Sequence, residues 1–111
     1  CKRLAQRASL GLARMGSVSG DGSGDIFLAF STGNRDVERH DGVQPLPVLA
    51  FPNSEISKLF AGVVEATEEA IVNAMCMATT TNGADNRTAH AIPLDRLTEV
   101  MATYNRLSPM S

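Results

Sequence analysis

Five consecutive apolar residues, Ile26-Phe27-Leu28-Ala29-Phe30, follow directly on the glycine-rich stretch Ser19-Gly20-Asp21-Gly22-Ser23-Gly24-Asp25. An apolar run of that length after such a turn reads as a strand buried in a core, from about Asp25 to Thr32, with Gly33-Asn34 breaking it. In extended backbone, residues i and i+2 project from the same face. The Ser23 hydroxyl and the Asp25 carboxylate are therefore expected side by side at the mouth of a core strand, where hydrolytic chemistry is often assembled. They form part of a site.

The remaining elements follow from periodicity. Leu4, Ala5, Ala8, Leu12 and Met15 fall on one helical stripe from residue 2 to about 15, and Gly16 supplies a C-terminal stop. Ser17 to Gly24 is a loop. Residues 34 to 47 carry Arg35, Asp36, Glu38, Arg39, His40 and Asp41 and then Pro45 and Pro47, which reads as an exposed connection. The prolines confine the next strand, Val48-Leu49-Ala50-Phe51, to an edge or a late start. A long helix follows, capped by Asn53 or Ser54 with Glu55 at its positive end, and runs to Met77 or Thr79. Its apolar residues, from Ile56 to Ala78, repeat at three and four and form two stripes wide enough to pack on both a sheet and a neighbouring helix. Thr79 to Asn86 reads as a polar loop. Pro93 at a first helical position opens a last helix with Leu94, Leu97, Val100, Met101 and Tyr104 facing inward, and the tail from Ser108 is expected to fray.

The chain is long enough for one domain, or part of one, over residues 1–111. Its ten basic and twelve acidic residues give a net charge of -2, which favours neither nucleic acid nor an anionic membrane as a partner. Lys2, Arg3, Arg7 and Arg14 precede any acid, a pattern read as a solvated helix face. Cys1 and Cys76 match no metal spacing or disulfide framework, and no signal-like or membrane-spanning segment is present in the sequence. A reducing, cytoplasmic setting is the expectation. His40 and His90 stand alone and read as surface residues, so neither a metal nor another cofactor is expected.

Two strands make a marginal sheet, since three or more are normally needed. Basic side chains also occupy the end of the first helix where the macrodipole favours acids. The chain thus reads as incomplete. The stretch Lys2-Arg3-Leu4-Ala5 through Gly11-Leu12-Ala13-Arg14, then Gly22-Ser23-Gly24-Asp25-Ile26 with Ala29-Phe30-Ser31-Thr32, then Ala66-Thr67-Glu68-Glu69-Ala70 with Asn73-Ala74, resembles the C-terminal (β) subunit of the L-aminopeptidase/D-esterase (DmpA-like) and β-peptidyl aminopeptidase family. The motifs are ordered and span roughly seventy residues, although none is specific alone.

The resemblance implies an α/β fold that is part of a four-layer α/β/β/α sandwich of the amino-terminal-nucleophile-hydrolase type. It implies a precursor that cuts itself before a serine, which then serves as nucleophile with its freed α-amine as a nearby base. The implied substrates are peptides, amides or esters with a free amino terminus. The implied partners are the upstream α-subunit and N-terminal strand of the same precursor, with homo-oligomers expected. A Ser-x-acid pair of the family maps onto Ser23 and Asp25: Ser23 would pass a proton, while Asp25 would orient it and stabilise positive charge on the amine. A strand of ~5–6 residues and a connection of ~4–6 or more would precede this chain.

Cys1 with its α-amine is a chemically valid nucleophile, but it opens a helical pattern rather than a buried strand, so a truncation point is the better reading. Asp21, Ser23 and Asp25 alternate as calcium ligands do; Ile26 and Thr32 stand where glycine and a bidentate glutamate are required, so a calcium loop fails. Glu68 and Glu69 are adjacent on a helix and cannot both face one site, which suits a surface or interface role. Beside the aminopeptidase reading stands a non-catalytic module that self-associates or binds a partner. The expectation that the chain lacks the nucleophile makes it inactive alone.

Overall fold

The computed structural model describes residues 1–35, 37, 42 and 45–107. Two compact units form, Cys1–Glu69 and Ala70–Ser111. The described residues contain three α-helices and one two-stranded antiparallel hairpin, an α/β chain: α1 (Lys2–Arg14), α2 (Ile56–Met77), β1 (Thr81–Asn82), β2 (Thr88–Ala89) and α3 (Leu94–Thr103).

α1 forms where the apolar stripe predicts it, and Leu4, Ala5, Ala8, Leu12 and Met15 are all half-buried. Its C-terminus is closed by Gly16 at φ +95°, with Gly16 N–H donating to Ala13 O (2.9 Å) and Ser17 N–H to Leu12 O (3.3 Å). A residue in the left-handed region at this position satisfies carbonyls that the helix leaves free, and glycine occupies it without a Cβ penalty. The other end has neither a side-chain cap nor an acid in the first turn.

The core of the first unit is the crossing of α1 on α2. Gly11 is buried, and Val64 is the one buried apolar side chain among the described residues, at 7% exposure. A Cβ at position 11 would lie 2.6 Å from the Val64 carbonyl oxygen and 2.7 Å from Thr67 Cβ, so the backbones approach as closely as they do because position 11 has no side chain. Thr67 turns its hydroxyl inward along its own helix, donating to Val63 O at 2.7 Å. Arg14 pairs with Glu68 at 3.3 Å beyond the crossing. Before it, Arg7 and Arg3 lie 4.1 and 5.0 Å from the centroid of the Phe60 ring, and Arg3 Nη1 donates to Asn53 Oδ1 at 3.1 Å. The order of these contacts shows that α1 and α2 run in the same sense. Two arginines at the positive end of a helix are unfavourable to the macrodipole; the π face of Phe60 offsets this by about 0.5–1 kcal/mol per contact at an exposed site.

Neither expected strand pairs. Residues 25–32 and 48–51 carry no ladder hydrogen bonds among the described residues. The period-2 alternation is present, with Phe27 and Ala29 half-buried, but Ile26, Leu28 and Phe30 are 91, 88 and 82% exposed. The apolar run supplies the demand for a sheet, and the described residues supply no neighbouring strand to meet it. The two segments are tied at one point, where the Asn34 amide donates to Leu49 O (3.0 Å) and accepts from Leu49 N–H (2.9 Å).

The expected cap of α2 also differs. Asn53 holds Arg3, and the chain turns through Glu55 N–H to Pro52 O (3.1 Å) before the 22-residue helix begins at Ile56. In the second unit, the expected polar loop folds in part as the hairpin, in the register Thr81↔Ala89 and Asn82↔Thr88. Pro93 caps α3 from outside, with Leu94 the first helical residue. Of its expected inward residues only Leu97 and Met101 are half-buried; Leu94, Val100 and Tyr104 are exposed. Among the described residues, no helix is long and apolar enough to cross a membrane. The expected fraying from Ser108 and the expected surface position of His40 fall outside the described residues.

Gly11→Ala should destabilise the chain by about 1–3 kcal/mol, the usual cost of overpacking against a fixed backbone. Gly62→Ala on α2, where a Cβ meets nothing within 4 Å, should instead stabilise it by about 0.5–1 kcal/mol through helix propensity. Urea unfolding of both variants checks the opposite signs.

Candidate functional site

Past Gly16 the chain makes an exposed loop before the apolar run. Ser19 sits at φ +46° with its N–H donating to Ser17 Oγ (3.1 Å), and Ser23 N–H donates to Gly20 O (2.9 Å), closing a turn over Gly20–Ser23. Gly24 then takes φ +64°. This changes the expected geometry. The i, i+2 rule needs extended backbone at the intervening residue, and Gly24 is left-handed, so alternation begins at Asp25 and does not carry back to Ser23.

Ser23 and Asp25 are both exposed, and among the described residues neither side chain has a hydrogen-bond partner. The turn uses the backbone of Ser23 and leaves its hydroxyl available. Of the two adjacent glutamates, Glu68 is held by Arg14 and Glu69 is exposed on the surface of α2, as their helical spacing suggests. Both thiols are free, His90 is exposed, and no group of three or more potential metal ligands gathers among the described residues.

An apolar cleft of about 500 Å³ opens elsewhere in the first unit, lined chiefly by Leu4, Phe30, Leu49, Phe51, Ile56 and Leu59. Its walls come from α1, the unpaired run, the second extended segment and α2. Neither Ser23 nor Asp25 lines it. Asn34, which fastens these segments, was legible in the sequence only as the residue after Gly33 in a strand-breaking pair; nothing in its spacing announces a double hydrogen bond to Leu49.

Ser23 and Asp25 thus stand exposed at the head of an apolar segment that is unpaired among the described residues. Residues 1–89 match peptidase family S58, and the chain belongs to that family. It is 40% identical over 107 residues to beta-peptidyl aminopeptidase BapA of Sphingosinicella microcystinivorans, covering 96% of this chain and 27% of the relative. It is 43% identical over 102 residues to beta-peptidyl aminopeptidase BapA of Sphingosinicella xenopeptidilytica, covering 90% and 25%. The chain thus spans about a quarter of the length of these relatives.

Two solved structures share its path. The PH0078 protein from Pyrococcus horikoshii OT3 matches with a TM-score of 0.84 and 42% identity, over 95% of this chain and 29% of that one. The l-aminopeptidase d-ala-esterase/amidase from Ochrobactrum anthropi, described as a prototype for the serine aminopeptidases and a new variant among the Ntn hydrolase fold, matches with a TM-score of 0.86 and 39% identity, over 96% and 30%. The unpaired run and the exposed loop belong to a path that larger solved proteins also follow.

Gly24→Ala tests how the loop is held. Nothing lies within 4 Å of a Cβ there, so any cost comes from the left-handed backbone alone, about 1–2 kcal/mol. Thermal unfolding should show that loss, and an unchanged midpoint would mean that the loop relaxes out of this conformation.

Proposed function

We propose that this chain is the C-terminal part of a self-processing aminopeptidase of the amino-terminal-nucleophile type, acting on peptides, amides or esters with a free amino terminus. The observation that carries the reading is the agreement in path with the Ochrobactrum aminopeptidase over 96% of this chain, at 30% of that protein's length, by a chain whose Ile26, Leu28 and Phe30 have no cover of their own. The rest of the precursor, an upstream α-subunit and an N-terminal strand led by the nucleophilic serine, covers those side chains and completes a four-layer α/β/β/α sandwich. The assembled enzyme works as a homo-oligomer in the cytoplasm.

In acyl transfer the serine hydroxyl attacks the substrate carbonyl and its proton must be taken up, by the α-amine that autoproteolysis has freed. Ser23 hydrogen-bonds that amine or the nucleophile and relays the proton towards the leaving group. The Asp25 carboxylate offsets the positive charge that develops on the amine; to orient Ser23 as well, the assembled enzyme must bring together two side chains that left-handed Gly24 holds apart and unbonded here. The exposure of both side chains and their lack of hydrogen-bond partners among the described residues support these roles. Neither residue is the nucleophile, so the chain alone is inactive.

Co-expression with the upstream part of the precursor tests this. Amidase activity should appear only in the joined protein. Ser23→Ala should lower kcat there by ~10²–10⁴, the range of a positioned proton-transfer group, and Asp25→Asn should lower it with the unfolding midpoint unchanged. Full activity in Ser23→Ala would remove that residue from the mechanism; failure of Asp25→Asn to fold would make Asp25 a turn-closing residue.

A further inference from the structure

Asn82-Gly83 is the one asparagine–glycine pair in the sequence, and it lies in the hairpin rather than in a free loop. We infer that Asn82 is a spontaneous deamidation site of this chain, gated by the opening of the β1–β2 hairpin. The chemistry needs no enzyme. A base from solvent removes the Gly83 amide proton, the Gly83 nitrogen attacks Asn82 Cγ, and the bond from Cγ to the side-chain nitrogen breaks with release of ammonia. Water then opens the resulting five-membered succinimide ring to aspartate or isoaspartate. No electrons are exchanged, and water is the only co-reactant.

Asn82 is exposed, so water and base reach it. The folded hairpin nevertheless holds both reacting groups. Gly83 N–H donates to Arg87 O at 2.8 Å, which keeps its proton engaged. Asn82 Oδ1 accepts from Thr88 Oγ1 at 2.7 Å, across the pair Asn82↔Thr88, which pins the side-chain carbonyl to the opposite strand. Two strands of two residues are too short to be stable for long, so ring closure proceeds from the locally opened state. When opening and closing are fast, its rate follows the population of that state.

The glycine is dispensable to the fold here. Gly83 has φ -97°, which any residue adopts, and a Cβ would meet only Arg87 O at 3.5 Å, an ordinary contact. Alanine at 83 therefore changes the access of the nitrogen to Cγ while leaving the hairpin intact. Thr88 is the complementary handle, because its hydroxyl is part of the gate and takes no part in the reaction. Isoaspartate would insert a methylene into the β1 backbone and break the register with β2; either product replaces a neutral amide with a carboxylate.

The test incubates the full chain at mildly alkaline pH and follows amide-to-acid mass gain by peptide mapping, comparing the parent with Gly83→Ala, Thr88→Ala and Thr88→Ser. The gain should appear first at Asn82, nearly vanish in Gly83→Ala, and rise roughly two- to tenfold in Thr88→Ala, the factor that one net hydrogen bond contributes. Thr88→Ser, which keeps the hydroxyl, should react at the parent rate. Asp21-Gly22 and Asp41-Gly42 can close the same ring, but they lose and regain water with no mass gain, so the readout separates them. A first gain at Asn34, Asn53, Asn73, Asn86 or Asn105 would overturn the site. Equal rates in Thr88→Ala and the parent would overturn the gate.

Discussion

The approach of α1 to α2 at Gly11 is the contact on which the first unit rests. With 7% exposure, Val64 is the nearest thing to a conventional core side chain, and its carbonyl oxygen lies where a Cβ on Gly11 would clash. Charged contacts flank the crossing, with the Arg14–Glu68 pair at one end and the Arg3 and Arg7 guanidiniums over Phe60 at the other. Exposed pairs of this kind contribute little stability each. They fix the rotation of one helix on the other, while the close backbone approach sets the distance.

How legible each element was depends on whether its burial partner lies within this chain. α1 was readable in full because its stripe packs locally, and all five stripe residues are half-buried. α2 was readable in length, but its cap was not: Asn53 is recruited by Arg3, fifty residues earlier, and no local pattern encodes that exchange. The run from Ile26 to Phe30 was correctly read as wanting burial and wrongly read as having it. Apolarity records what a segment needs from a fold, and says nothing of which polypeptide provides it. The hairpin was missed because its reversal is not a two-residue Asn-Gly turn: Asn82 ends β1, Gly83 has φ -97°, and Asp85 and Asn86 take the positive φ instead; the threonine-rich flanks also lacked the apolar alternation that would have marked them as strands.

The candidate site divides in the same way. The residue types and their order, Ser23 and Asp25 after a glycine-rich turn, were plain in the sequence. Their relative orientation was not, because it hangs on the sign of one backbone angle at Gly24. A glycine leaves that sign open. The chemistry a site can do and the geometry in which it is held are thus written at different levels, the first in side chains and the second in a residue with none.

The double hydrogen bond of Asn34 to Leu49 bears on how a larger sheet could grow from this chain. A side-chain amide presents the same donor and acceptor as a peptide group, so Asn34 supplies one rung of a ladder without a strand beneath it. Two reciprocal bonds set both the spacing and the local alignment of the backbones they join, as a peptide group would. The asparagine thus fixes 25–32 and 48–51 at a single rung and leaves the rest of their backbone groups without ladder bonds among the described residues.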